Sequence, residues 1–521
     1  MKPSFIWLSA GGLLVTVLVM GQSAIPLGIP EEWEWSRHSF PAGLWSWIDR
    51  TAGPAFAGLL VLATWLVGTR ALQRPRSGRL WIMLPLLFAV SVTSMLGLQS
   101  AAPSPHQEVK GHWVIYDRFA SGYFAEAAFE IDSARELLSG YEARMRKGDV
   151  LHEGTHPPGL YLLNWYALRL TESSPALSRG LSHFRSSVTE QSFRQLEASA
   201  AMSPRLTEEQ LATLTLVSLI TLMTAAAAPL AVFGVTGLVS TRIHAWQAAC
   251  LTITIPAIIV FYPKSDVVFA TTGTLVLLLT VQACVTESAV RRVVFAMAAA
   301  AMLFCGMLLS LAHLPAAMVS VVFGLLLTIQ KPQNARTRTL PALGIAVLTF
   351  AVLLGVWWFA TNCNLLAVWR LNLANHAGFY DQYPRTVWKW MLLNPLELAL
   401  STGVPLFLTA CVAWCGVLRR VYSDRTNKFS TRSASDLLIL AIMITICVLW
   451  LSGRNSGEAA RLWCFMTPWL AISGSLSWSD RNTSGGDALP SSSARAGSVL
   501  LAGQICCAVI VVSRVNGFMQ L

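Results

Sequence analysis

Charged residues are scarce in this sequence: Asp, Glu, Lys and Arg make up 12% of 521 positions, about half the share of an average soluble domain. That scarcity excludes an ordinary water-soluble globular protein, whose surface is mostly solvated by such side chains. Paired cysteine is lacking as well. Of ten cysteines, nine fall in or beside apolar stretches and Cys363 stands in a polar loop without an obvious partner, which argues against a disulfide framework. Long basic runs are missing despite a formal net charge of +11. The Lys and Arg residues sit in short loops between apolar segments, so no nucleic-acid partner is expected.

Apolar length is what the chain has in abundance. Hydrophobic residues reach 54%, and they recur in runs near 5–25, 51–68, 80–98, 211–239, 245–261, 267–285, 293–311, 314–329, 340–360, 396–418, 437–451, 462–476 and 499–512. Runs close to the roughly 20 residues that span a hydrocarbon core predict an all-α polytopic membrane protein of about thirteen transmembrane helices. Lys2 before the first run resembles the start of a signal peptide. The run extends to Ile25 with further spans behind it, so a retained first anchor is the better reading.

Alternate short loops should concentrate Lys and Arg on the cytoplasmic side. One set of loops does so, with Arg70, Arg74, Arg76 and Arg79, then Arg291 and Arg292, then Lys331, Arg336 and Arg338, then Arg419, Arg420, Arg425, Lys428 and Arg432. A cytoplasmic amino terminus follows. Residues 1–99 then form three spans, 100–210 a small external region of short interfacial helices between spans 3 and 4, and 211–521 spans 4–13 with an external loop near 361–395. Within the external region, Phe124, Ile131 and Leu138 recur at helical spacing among charges between Gly122 and Lys147, as in an interfacial helix. Thr207 and Gln210 form a capping-box pattern before the fourth span.

The external segments hold most residues able to do chemistry. His152, Glu153 and His156 spell H-E-x-x-H, which on a helix would hold zinc. Pro157 biases His156 out of the helical region and Gly154 weakens a helix upstream, so the zinc geometry is rejected. The same residues read better as a helix start, with Thr155 or His156 at the N-cap and Pro157 in the first turn. A histidine there lies at the positive end of a helix dipole, which favours a phosphate, although a merely capped surface helix fits the same pattern.

The stretch Thr155-His156-Pro157-Pro158-Gly159-Leu160-Tyr161 resembles the H-P-P stretch of the GT-C glycosyltransferases, which include protein O-mannosyltransferases and bacterial aminoarabinose transferases. Upstream, WVIYDRFASGYF carries Asp117. Tyr262-Pro263-Lys264-Ser265-Asp266 resembles a later link, and GRNSGEAARLW from Gly453 to Trp463 is similar to a stretch in bacterial relatives. The resemblance implies a bacterial inner-membrane enzyme that takes a sugar from a polyprenyl-phosphate-sugar donor lipid, with Asp117 as catalytic base. The family's aspartate follows the first span, whereas Asp117 follows the third, so two additional amino-terminal spans are implied.

Transfer needs a base near the acceptor and cationic groups around the departing phosphate. His156, Lys264, Asp266, Arg454, Glu458 and Arg461 are the candidates for donor-phosphate or substrate binding. A single external carboxylate, Asp117, suits inversion. Plain structural roles compete for these residues: Asp266 can neutralise Lys264, Glu458 can pair with Arg461, and Arg370 and Arg385 fit interfacial snorkelling better than phosphate binding. Trp357, Trp358, Trp388 and Trp390 fit an aromatic belt, and His313 a turn. His106 and His112 could join Asp117 around a metal, yet no ligand spacing supports it; no cofactor is assigned and a divalent metal stays open. The alternative function is a transporter or flippase, which the near absence of ionisable residues inside the spans disfavours.

Overall fold

Lipid offers no hydrogen bonds, so a chain of this composition can satisfy its backbone only within helices or a closed barrel. The computed structural model is almost wholly helical. It describes residues 4–73, 79–103, 113–118, 120–150, 152, 154–187, 189–191, 193–194, 205–330, 333, 335–423, 433–477 and 491–517. Arg74, Arg76, His106, His112, Glu153, Lys331, Arg425, Lys428 and Arg432 lie outside the described residues. Among those described, the only sheet is a two-stranded hairpin, Gly28–Ile29 against Trp33–Glu34.

Ten helices among the described residues are long and apolar enough to cross a membrane. The chain is thus a multi-pass membrane protein. Large apolar side chains remain uncovered on the outside, such as Phe359 at 96% exposure, and Leu340–Thr361 buries only Ala342. In water such a surface would aggregate; against lipid chains it is matched.

The three other expected spans take different forms. The first, Ser4–Gly21, and one near the carboxyl end, Cys464–Leu476, are short apolar helices. The third, expected over 245–261, is broken into Arg242–Ile253 and Pro256–Val260. Pro256 lacks an amide proton, and it opens the second piece at the position where a helix tolerates that lack. The run expected as a span over 396–418 is also divided. Val387–Thr402 ends at Gly403, whose φ of +93° stops the helix, and Val404–Ser423 starts anew.

Both breaks are closed by one side chain. Gln504, fully buried in Ser491–Arg514, donates through Nε2 to Thr402 O at 2.6 Å and Thr254 O at 3.4 Å, while its Oε1 accepts from Leu406 N at 3.4 Å. A Cβ on Gly403 would meet the Gln504 amide at 2.0 Å, so glycine is required twice over.

The helix ends sort the chain into two poles. Arg292 donates to Thr337 O, Thr286 O and Glu287 O, and Arg420 pairs with Asp436 at 2.7 Å, so the described basic loops gather at one pole. The chemically suggestive segments lie at the other. There the stretch from Gly122 to Lys147 is not one surface helix but two, Tyr123–Phe129 and Ala134–Met145. Leu137, Leu138, Tyr141 and Met145 are buried against Leu160, Tyr161 and Trp369. Protein covers the apolar stripe that the sequence suggested for a membrane surface. The capping box before Glu208–Ala226 is present: Gln210 N donates to Thr207 Oγ1 at 3.3 Å and Thr207 N to Gln210 Oε1 at 3.0 Å.

Replacing Gln504 by Leu would strand three buried backbone groups at about 1–3 kcal/mol each. The expected outcome is a large fall in the thermal unfolding midpoint in detergent, against little change for Gly344→Ala, where an added Cβ meets nothing within 4 Å.

Candidate functional site

Two polar segments far apart in the chain lock together at this pole. Asp149 Oδ2 accepts from His152 N at 2.8 Å and from Gly154 N at 3.4 Å, which ties both residues back to Asp149. Asn372 and Asn375, on Leu365–Gln382, donate to Thr155 O at 2.5 Å and Gly154 O at 2.9 Å, and Tyr141 Oη donates to His156 O at 2.7 Å. His152 and His156 therefore both lie ahead of the helix that starts at Gly159, and they do not share the one helix face that the zinc pattern needs. Among the described residues no group of His, Cys, Asp and Glu could hold a metal ion.

The expected N-cap moves as well. The helix is Gly159–Ser173, with Pro158 at the cap position and no side-chain cap bond. Two consecutive prolines delay the start past His156. Gly159 permits a close approach, because a Cβ there would lie 2.4 Å from Leu308 O. His156 is turned inward instead: its ring lies 5.4 Å from Tyr123 and 6.1 Å from His152, with Nδ1 3.1 Å from Thr155 Oγ1. Burial first, then the nearby His152 and Arg461, push its pKa down to about 3. It is a neutral imidazole at any physiological pH, so its service to an anion would be a hydrogen bond and not a charge.

Lys264 lies between the broken span Pro256–Val260 and the helix Asp266–Val285. Only 9% exposed, it feels Arg461, Asp266, Glu458 and Asp117. Yet none of the described carboxylates lies within 4 Å of its ammonium, and no described residue accepts a hydrogen bond from it. Asp266 therefore does not neutralise it by contact. Burial above all, with Arg461 second, lowers its pKa to about 7.

Arg461 is half-buried. It pairs with Glu458 at 2.5 Å, as the spacing suggested, and its Nε has no acceptor among the described residues. Burial disfavours its charge, but Glu458 and Asp266 outweigh that and raise its pKa. Asp117 ends a short helical turn; its Oδ2 accepts from Ala120 N at 2.9 Å, and its backbone carbonyl accepts from Ser121 N and Gly122 N. Asp117, His156, Lys264, Asp266, Glu458 and Arg461 thus share one electrostatic neighbourhood. Arg454 stands exposed on the rim and reaches this group only through His376, on which it and Glu458 both act. Asp117 is not a lone carboxylate there, because Asp266 and Glu458 also act on Lys264.

Several residues that hold this site were missed or misjudged from sequence. Arg385 is no snorkelling residue: Nη1 donates to Ser456 O at 2.7 Å, and its guanidinium lies 5.3 Å from both the Trp33 and Phe379 rings. Tyr380 and Asn394 hold the same loop through Arg454 O and Asn455 O, and Glu397 Oε2 accepts from Ala460 N at 3.1 Å. Trp390 is fully buried and donates to Glu32 Oε2 at 2.7 Å, so it leaves the aromatic belt, while Trp358 and Trp388 are exposed as a belt requires. His313, also fully buried, meets Thr272 Oγ1 at 2.8 Å in a 3₁₀ turn. Glu32 and Trp35 could have been found, since the span count puts the loop before the second span on the same face as Asp117.

Beside the site runs an apolar cavity of about 60 Å³, walled by Met20, Trp35, Phe261, Leu400 and Val511, with Glu397 and Ser401 as its polar lining. Phe261 and Ala460 place it within three residues of Lys264 and next to Arg461. No family model and no curated protein matches the sequence.

Arg385→Gln removes a charge-assisted bond and three aromatic contacts from the 453–458 loop. Proteolysis at that loop in detergent should quicken, and stability should fall by about 1–3 kcal/mol.

Proposed function

We propose that this protein is a membrane glycosyltransferase that moves a sugar from a polyprenyl-phosphate donor to an acceptor hydroxyl or amine. The reaction would take place on the non-cytoplasmic face, with thirteen membrane crossings and a cytoplasmic amino terminus. The observation that carries this reading is Lys264, a buried ammonium with no anion in contact among the described residues, in the field of Arg461 and three positions along the chain from Phe261, which lines the apolar cavity. A buried cation without an anion is costly unless a ligand supplies one. A phosphodiester with an apolar tail supplies both the charge and the chain.

In this reading the acceptor oxygen or nitrogen forms a bond to the anomeric carbon while the bond from that carbon to the phosphate oxygen breaks. Its proton passes to Asp117, and the polyprenyl phosphate leaves with one additional negative charge. Lys264 and Arg461 stabilise that charge as it develops. Neutral His156 orients the donor by a hydrogen bond. Asp266, with no contact to its carboxylate among the described residues, is the second candidate for base.

The test is purified protein in lipid with labelled polyprenyl-phosphate sugars and a range of acceptors. Asp117→Asn should abolish transfer, a loss of about 10²-fold or more, while donor binding persists. If Asp266→Asn does so instead, the base is reassigned; if neither variant loses activity, or no donor reacts, the enzyme reading fails and transport gains. An anomeric assay of the product decides between inversion and retention.

Charge on Lys264 also fixes a pH dependence. With a pKa of about 7 it is cationic below that value and neutral above. A phosphodiester does not titrate there, so donor affinity should fall as pH rises through 7, by up to about tenfold per unit. Lys264→Gln should bind weakly and flatten the profile; an unchanged slope in that variant refutes the role.

A further inference from the structure

A second cationic cluster lies across the Ser4–Gly21 helix from the site. Arg50 donates to Ala101 O at 2.9 Å, Ser39 O at 3.1 Å and Ser513 O at 2.6 Å. Arg514 donates to Met20 O at 3.1 Å and to His38 O, and Arg37 to Val19 O at 3.0 Å and to Ile25 O. Every one of these acceptors is a carbonyl. Among the described residues no carboxylate lies within 4 Å of the three guanidinium groups; Glu34 acts on Arg37 from farther off, and Asp49 is exposed. Arg50 and Arg514 are each 6% exposed and near enough to repel one another.

The carbonyls belong largely to three helix carboxyl ends: Ser4–Gly21, Leu80–Gln99 and Ser491–Arg514. At roughly half a negative charge per end, these offset about half of the cluster's positive charge. The surplus faces a groove of about 240 Å³, lined by Arg50 and Arg514 at one side and by Val17, Phe40, Trp47 and Val509 elsewhere. Phe40 and Trp47 are half exposed at its rim, and the Arg514 guanidinium lies 3.9 Å from the Phe40 ring centre. Arg514 Nη2 has no acceptor among the described residues.

We infer that this groove binds an anionic glycerophospholipid, with its phosphate on Arg50 and Arg514 and an acyl chain along Val17, Trp47 and Val509. Both halves of the ligand are matched: arginine receives a phosphate through paired donors, and the walls belong to helices that meet lipid. The site is separate from Lys264 and does not depend on sugar transfer.

The test uses the full chain in nanodiscs of mixed phosphatidylglycerol and phosphatidylcholine, stripped into detergent and read by native mass spectrometry. Wild type should retain phosphatidylglycerol about tenfold over phosphatidylcholine. Gly21 lines the groove and a Cβ there meets nothing within 4 Å, so Gly21→Phe should fill it without disturbing the arginines. That variant should lose the preference while its unfolding midpoint in phosphatidylcholine stays unchanged. Arg514→Lys should weaken it. Equal retention of both lipids by wild type, an undiminished preference in Gly21→Phe, or displacement of the lipid by millimolar inorganic phosphate would each overturn the inference.

Discussion

Every backbone amide and carbonyl inside a bilayer must find its partner within the protein, and this constraint organises the whole molecule. Continuous helices meet it automatically. Where a helix stops inside the apolar slab, at Thr254 and again at Gly403, the freed groups need a dedicated partner, and Gln504 supplies it for both. These two breaks have a positional effect. They end the segments that lead to Lys264 and to Glu397, so polar side chains enter the protein near the site without crossing lipid.

The same scarcity of water governs the charges. Near Lys264 a low-dielectric setting makes an ammonium without an anion expensive, and its depressed pKa follows from that. Arg461 is held charged by Glu458 and Asp266, so two neighbouring cations occupy opposite regimes, one fixed and one poised. Such an arrangement persists only if the surrounding loops are rigid. Rigidity comes from outside the charged cluster: Asn372 and Asn375 hold the turn before His156, while Tyr380, Arg385, Asn394 and Glu397 hold the loop before Arg461.

Much of the architecture was legible from patterns that depend on a single element. Apolar run length, loop charge and the Thr207 capping box each report on a local fit to lipid or water, and they agree with the helices, the basic pole and the cap. Pattern failed where two segments compete for one surface. The stripe of Phe124, Ile131 and Leu138 is equally apolar whether lipid or neighbouring protein segments cover it, and the charge on Arg385 looks alike at an interface or over three aromatic rings.

By itself, the sequence determined that this chain lives in a membrane, where most of its long apolar helices run, and how the helix after Thr207 is capped. Those features follow from transfer free energies and backbone chemistry that act residue by residue. Only the tertiary structure decided that Lys264 meets no carboxylate among the described residues, that His156 packs against Tyr123 with its pKa pushed down, and that an apolar cavity lies along Phe261 and Ala460. Contact, burial and local dielectric belong to pairs of segments more than a hundred residues apart, and no local pattern encodes their distance.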